Sequence, residues 1–461
     1  MAHKFTTDAI IGLEVHVQLN TKTKLFCSCP TNVAEPNTAI CPTCLGHPGS
    51  KPVLNSKALE FATKLSLALG CTIAPTAVFS RKTYFYPDLV KNYQITQYEV
   101  PLGSHGIIIL DIGKLIRIER VHLEEDPGAL IHESGATLID YNRSGIPLCE
   151  IVTHPDMHSP AEAREFMKKL LNILGYLGLF DQNTCVIKAD ANVSIREKNY
   201  ERVEIKNITG FKEIERALTY EIERQKQQDV RRETRGWNAE KGTTYTLRLK
   251  ETEEDYGYIV EPDLPLFEID PNWIRAIKAT IPELAEARAA RWVSDWKIDE
   301  TDAKIIAANI DVAELFETIA KKIDPVFSSR WVRREILRLL NDEKKELRET
   351  QFRAQELIEL FKLLIDKKIT DRIGQRIIEQ LAKKQFSPAA YVKEQNLVMV
   401  ADENTLEKIC KTIIEQNKKA VQDYKNGEEK SLMFLIGQVM KQTKGTAAPN
   451  VVKELLKSLL A

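Results

Sequence analysis

Residues 9–19 read AIIGLEVHVQL, a stretch of strand length, rich in branched apolar side chains, that alternates apolar with other residues. A strand repeats every two residues, so Glu14 and His16 share one face. Similar strand-sized runs follow in YQITQYEV, GIIIL, LIRIERVHL and ANVSIR. Between them SPAEAREFMKKLLNILGYLG reads as a helix, with Ser159 as N-cap, Pro160 in the first turn, Glu162 three residues after the cap and Gly178 as the stop. ERVEIKNITGFKEIERALTYEIERQK holds a second long helix, and from about Ile298 the pattern is almost wholly helical. Sixteen of the 19 prolines and 16 of the 20 glycines precede residue 290, so the first part turns often and the rest does not. The predicted class is α+β: a mixed sheet-and-helix domain over 1–293, a helical domain over 294–403 and a small helical tail over 404–461. In the tail, Leu432, Leu435, Ile436, Val439 and Met440 recur at helical spacing, closed by Gly445.

A chain of 461 residues exceeds one hydrophobic core, which agrees with several domains. No apolar run reaches the length of a membrane span, and MAHKFTTDAI lacks the apolar core of a signal peptide, so a cytoplasmic protein with no membrane partner is expected. The net charge of −1 gives no overall basic signature, but the segment from Asn404 carries ten lysines against six acidic side chains. Such an excess fits either a solvated helical face or a local contact with phosphates.

FCSCPTNVAEPNTAICPTCLGHPG, residues 26–49, gathers half of the eight cysteines. In a reducing compartment such a cluster points to metal before disulfides. Cys27, Cys29, Cys41 and Cys44, spaced C-x-C-x11-C-x2-C, can wrap four thiolates around a structural Zn²⁺; the alternative is two pairs of buried, inert thiols. Cys71, Cys149, Cys185 and Cys410 are scattered and read as core.

Acidic and amide groups gather elsewhere on strand-like segments: Glu14 with His16 in GLEVH, Glu124, Glu125 and Asp126 beside His122 in HLEEDPG, Asp190 and Asn192 in ADANVSIR, and Glu204 with Lys206 and Asn207 in EIKN. Oxygen donors of this kind suit Mg²⁺ bridging to phosphates, which Lys82, Lys206 and Arg248 could neutralise. Each segment alone is equally a solvated strand face or an exposed turn. Together they describe one shared acidic pocket or four unrelated surfaces. No glycine-rich phosphate loop of a familiar kind is present.

The same segments carry a resemblance. IGLEVHVQL, AEPNTAICPTCLGHPGSKPVLN, RKTYFYPDLVKNYQITQ, HLEEDPG, YNRSGIPLCEIV, ADANVSIR, VEIKNITGF, ETRGW, LRLKE, EPDLP and AVQDYKNGEEKSLMFLIGQVMKQTKG follow, in order, the B subunits of the aspartyl/glutamyl-tRNA amidotransferases. The resemblance implies a kinase-like cradle domain that binds ATP and Mg²⁺, a helical domain and a tRNA-contacting tail. It also implies phosphorylation of the side-chain carboxylate of misacylated Glu-tRNA or Asp-tRNA, followed by amidation with ammonia from a partner amidase (A) subunit, alongside a small C subunit.

Carried onto this sequence, the resemblance places Glu14, His16 and Glu125 at the Mg²⁺, Glu124 behind them, and Asp190 and Asn192 along the pocket. Lys82, Lys206, Asn207, Arg248 and Glu251 become contacts of ATP or substrate, and His122 a structural residue. It favours a structural zinc at the four cysteines and makes Lys418, Lys419, Lys425, Lys430, Lys441 and Lys444 contacts of the tRNA backbone. LRLKE and EEDYGYIVEPDL depart from the commoner RSKE and DYRYFPEPDL, with Gly257, Ile259 and Val260 at the altered positions. Two alternatives are a tRNA-binding scaffold with an inactive nucleotide pocket and the archaeal E subunit, whose large inserted domain has no room between VEIKNITGF and EPDLP.

Overall fold

Burial of one face of the strand Ala9–Gln18 organises the first part of the chain. In the computed structural model Ile11, Leu13, Val15 and Val17 are at most 1% exposed, while Glu14 and His16, out of phase with them, turn to the other face. The structure describes residues 8–181, 184–249, 256–399, 403–443 and 445–460. The chain divides into two compact units, Met1–Leu284 and Ala285–Ala461.

The first unit is built on a nine-stranded sheet in the order Thr243–Leu249, Glu233–Asn238, Val203–Ile208, Ile187–Ile195, Ala9–Gln18, Pro147–Thr153, Leu115–Glu125, Gly103–Ile109 and Thr72–Ile73. Neighbours run antiparallel except Val203–Ile208 and Glu233–Asn238, a parallel pair joined through the helix Phe211–Gln227. One core unites the apolar side of the sheet with Ala58, Ala62 and Leu65 of the helix Ser56–Ala68, Phe166, Leu170 and Leu174 of Pro160–Leu177, and Ile214, Leu218 and Ile222 of Phe211–Gln227. The helix ends follow the sequence: the Ser159 hydroxyl accepts the Glu162 amide at 3.2 Å, and Gly178 closes the helix at φ 66°.

A second, three-stranded sheet pairs Gly257–Val260, Ser80–Thr83 and Tyr93–Thr96. Its Tyr93–Thr96 strand is tied to the end of Leu115–Glu125, because the Gln94 amide donates to the Glu125 carbonyl at 2.6 Å and the Ile95 N–H to the Glu125 carboxylate at 3.0 Å.

Every regular element of the second unit among its described residues is a helix, from Ala285–Trp296 to Pro449–Leu460. Trp292, Phe316, Val332, Leu357, Phe361 and Ile377 belong to one core, and Leu406, Cys410, Leu435, Val439, Val452 and Leu456 to another. Leu432, Leu435, Ile436, Val439 and Met440 are all buried on the helix Glu429–Gln442, and Gly445 beyond it takes φ 83°. The α+β reading stands: a mixed sheet with helices in the N-terminal unit, helices alone in the C-terminal one.

Candidate functional site

Strand register assembles a polar patch on the face of the large sheet opposite the helices. Glu14 lies across from Asp190, and His16 from Glu150, which in turn lies across from His122. Gly12 faces Asn192, itself opposite Glu204. Residues scattered from position 12 to 204 thus share one surface because each strand places alternate side chains there.

His16 sits at the centre. Its Nδ1 lies 3.0 Å from a Glu124 carboxylate oxygen and 3.8 Å from Glu150, and its Nε2 lies 3.3 Å from Glu14. Burial opposes a charged imidazole, yet the hydrogen bonds to Glu124 and Glu14 prevail and raise its pKa well above the usual histidine value. Burial likewise works against Glu14 and Glu124 as carboxylates, but the bonds to His16 hold both below their usual range. Glu150 goes the other way: burial, then the charges of Glu14 and Glu124, push its pKa well up. His122, 3.6 Å from Glu150, is lowered to about 4 by burial. The cluster therefore sets three carboxylates, Glu14, Glu124 and Glu150, around a single imidazole, a local deficit of positive charge.

A divalent cation fits this deficit. Glu14, His16 and Glu150 each offer a ligand atom within 4.8 Å of the others, and so do His122, Glu124 and Glu150. The buried Asn192 Oδ1 has no hydrogen-bond partner, a spare oxygen on the same face. Carboxylate and amide oxygens are the donors Mg²⁺ prefers.

Two ammonium groups border the carboxylates. Lys206 Nζ lies 2.9 Å from Asp190 and 3.4 Å from Glu204; burial opposes its charge, but those carboxylates and Glu14 raise its pKa. Asp190 also accepts the backbone N–H of Asn207 at 2.8 Å, and Asn207 adopts φ 60° to present it. Lys82 comes from the three-stranded sheet and lies 4.7 Å from the Tyr256 ring centroid. Burial opposes its charge too, and Tyr258, Glu124 and Glu150 raise its pKa. Arg248 stands opposite Thr234 on the strand next to that of Glu204, while Glu251 lies outside the described residues.

The structure sets Glu125 apart from the cluster. One step further along its strand than Glu124, its carboxylate is bound by Lys91 at 2.5 Å and by the Ile95 amide. Glu150 occupies the central place, and sequence reasoning did not single it out. The available signal was a lone charge inside the apolar strand PLCEIVT.

The cysteines form a separate centre. Cys27, Cys29, Cys41 and Cys44 bring their sulfurs within 4.8 Å of one another, close to the roughly 3.8 Å edge of a tetrahedron with zinc–sulfur bonds of about 2.3 Å. The turn after Cys41 is tight: Leu45 N–H donates to the Cys41 carbonyl at 3.0 Å, His47 N–H to Pro42 at 2.8 Å, and the Cys41 N–H lies 3.1 Å from Cys44 Sγ. The hydrogen bond with Cys27 leads in lowering the Cys44 thiol to about 4, with Cys41 N–H and Lys24 adding to it against burial. The remaining four cysteines are buried and unpaired, as core residues.

In the helical unit, Lys418, Lys419 and Lys430 line a cavity of about 470 Å³ with Phe434, which is 49% exposed. Lys425 ends the helix Lys418–Lys425, Lys441 lies in the last turn of Glu429–Gln442, and Lys444 falls outside the described residues. Among the described residues no helix is long and apolar enough to cross a membrane.

Comparison with known proteins places this architecture. Residues 9–275 match the GatB/GatE catalytic domain and residues 314–460 the GatB domain. The chain is 43% identical to the B subunit of the aspartyl/glutamyl-tRNA(Asn/Gln) amidotransferase of Thermotoga petrophila, over 98% of each chain. It is 42% identical to the protein of that name from Carboxydothermus hydrogenoformans and 43% to that of Caldanaerobacter subterraneus, each over 98% of this chain and 99% of the relative. With both domains matched and near full-length identity of this order, the chain belongs to the GatB family, the B subunits of aspartyl/glutamyl-tRNA(Asn/Gln) amidotransferases.

Proposed function

We propose that this chain activates the side-chain carboxylate of Glu or Asp misacylated onto tRNA(Gln) or tRNA(Asn), by ATP-dependent phosphorylation, for amidation by ammonia. The observation that carries the reading is the convergence of Glu14, His16, Glu124 and Glu150 on one sheet face, flanked by Lys206 and Lys82. A free carboxylate resists ammonia because oxide is a poor leaving group. Attack of a carboxylate oxygen on the γ-phosphorus of ATP breaks the bond to the β-phosphate oxygen, forming an acyl phosphate and ADP. Ammonia then adds at the acyl carbon, phosphate leaves with the bond pair, and the nitrogen sheds a proton to give the amide.

Glu14, His16 and Glu150 would hold Mg²⁺, His16 as a neutral imidazole through Nε2 with the ion taking the place of its proton, and Glu124 orienting the ring through its Nδ1 bond. When bound, the ion supplies Lewis-acid stabilisation of the phosphoryl oxygens. Lys82 and Lys206 neutralise phosphate charge, and Asp190 fixes Lys206 and the Asn207 backbone beside the nucleotide. Asn192 offers its unpartnered oxygen to the ion or the substrate. Arg248 and Glu251 are assigned, as the family resemblance implies, to contacts of ATP or substrate. Glu125, bound to Lys91, holds the strand that pairs with that of Lys82.

The four cysteines hold structural Zn²⁺. Ammonia comes from glutamine through the A subunit, with a small C subunit completing a cytoplasmic heterotrimer. Lys418, Lys419, Lys425, Lys430, Lys441 and Lys444 contact the tRNA backbone from a tail over 404–461. The decisive experiment is co-expression with candidate A and C subunits, followed by ATP- and glutamine-dependent amidation of Glu-tRNA(Gln) and Asp-tRNA(Asn). Amide product with ADP release is expected; amidation that proceeds without ATP would sink the proposal.

A further inference from the structure

Lys24 is 0% exposed, although lysine is among the side chains least often withdrawn from water. Its ammonium lies 3.6 Å from Cys44 Sγ and 3.2 Å from the Tyr141 carbonyl oxygen, with no salt bridge to a carboxylate among the described residues. Its stem runs beside Gly145, where an added Cβ would sit 3.6 Å from Lys24 Cδ and 3.7 Å from Cys44 Cβ. Glu125, which borders the same turn, is already bound to Lys91 and the Ile95 amide. The backbone of Lys24 belongs to the other arm of the cysteine loop, its N–H donating to the Cys29 carbonyl at 2.9 Å. One residue therefore clips the Cys27–Cys29 arm to Cys44 and to the turn at Tyr141–Gly145.

Charge balance gives this placement a purpose. A buried ammonium whose only close polar partners are one cysteine sulfur and one carbonyl oxygen is a poor exchange for hydration. Four thiolates around a divalent zinc carry a formal net charge of two minus, which is costly to bury without a counter-charge. We propose that Lys24 is the built-in counter-cation of the four-cysteine metal centre, a positioning residue that tightens metal binding and shields Cys44 from electrophiles. The proposal rests on the zinc reading above and concerns what stabilises the loaded site.

The test uses the full chain, zinc-loaded, in competition with a chromophoric chelator, and reads zinc affinity, release rate and alkylation of Cys44 by iodoacetamide. Lys24→Met should weaken zinc by about 10–100-fold, the range typical of lost outer-sphere partners, and speed Cys44 alkylation in parallel. Lys24→Arg, which keeps the charge, should recover most of the affinity. A wild-type chain that binds no zinc overturns the zinc reading and this inference with it. Zinc bound normally by wild type and equally well by Lys24→Met overturns this inference alone. A second comparison covers a folding defect. Cys29→His lowers the formal negative charge of the centre by one, so Lys24→Met should cost less affinity in that background. An equal loss in both backgrounds assigns Lys24 to packing and overturns the counter-cation role.

Discussion

The two candidate metal centres of the first unit are made in opposite ways. The cysteine centre comes from 18 consecutive residues, Cys27 to Cys44, and closes through local turns. The carboxylate centre takes Glu14 and His16 from one strand, Glu124 from a second and Glu150 from a third, and exists only when the sheet is in register. The first can form wherever its loop closes. The second depends on the whole sheet, and with three protein ligands it would leave positions on a bound ion for substrate.

The largest effect should follow from breaking the distributed centre at its shared member. Glu150→Gln is expected to lower carboxylate phosphorylation by about 10²–10³-fold, because Glu150 belongs to both ligand groups and faces His16 and His122. Normal turnover in the assembled complex would remove Glu150 from the centre. Metal affinity sharpens the point. With Mn²⁺ as a spectroscopic stand-in for Mg²⁺, Glu150→Gln should bind the ion at least about ten-fold more weakly. Glu125→Gln should stay within roughly three-fold of wild type, since that carboxylate is occupied by Lys91 and the Ile95 amide. The reverse ranking would return Glu125 to the ion and leave Glu150 as support.

These expectations mark what was legible in the sequence. The four cysteines could be read as a unit because their close spacing already confines them to one local loop. Glu14 and His16 could be placed on one face, and Ser159 and Gly178 at helix ends, because each depends on a few adjacent residues. Glu150 could not be recognised by these rules. One glutamate in PLCEIVT says nothing until the pairing of Pro147–Thr153 with both neighbouring strands fixes its partners. Glu124 and Glu125 posed the complementary problem: adjacent carboxylates at a strand end look equivalent, and only the packing of Tyr93–Thr96 separates them. Lys24 was invisible for the same reason, as its partners at Tyr141 and Gly145 are more than a hundred residues away.

Zinc removal should sharpen the contrast from the other side. Exhaustive chelation at the cysteines is expected to lower the melting temperature of the first unit by on the order of 10 °C, as the loss of a tightly bound native-state ligand does. Mn²⁺ affinity at the carboxylates, measured after re-dialysis, should change by less than roughly three-fold, because none of their ligands comes from the loop. Loss of Mn²⁺ binding together with zinc would show that the local centre supports the distributed one.

The smallest expected effect comes from the layer behind the sheet. Ser159→Ala removes the side-chain acceptor for the Glu162 amide at the start of Pro160–Leu177 and should cost about 1 kcal/mol, read as a lower denaturation midpoint at unchanged slope. The helix packs against the apolar face, through Phe166, Leu170 and Leu174, while the ligands project from the other. Fraying at its first turn leaves that packing in place. Mn²⁺ affinity should therefore be unchanged under native conditions, where the sheet remains folded. A drop in affinity beyond roughly three-fold would mean that the register of the ligand-bearing strands is held by the helical layer rather than by their own ladder of hydrogen bonds. The distributed centre would then be sensitive to damage at either face of the sheet, and the local one to damage only within its loop.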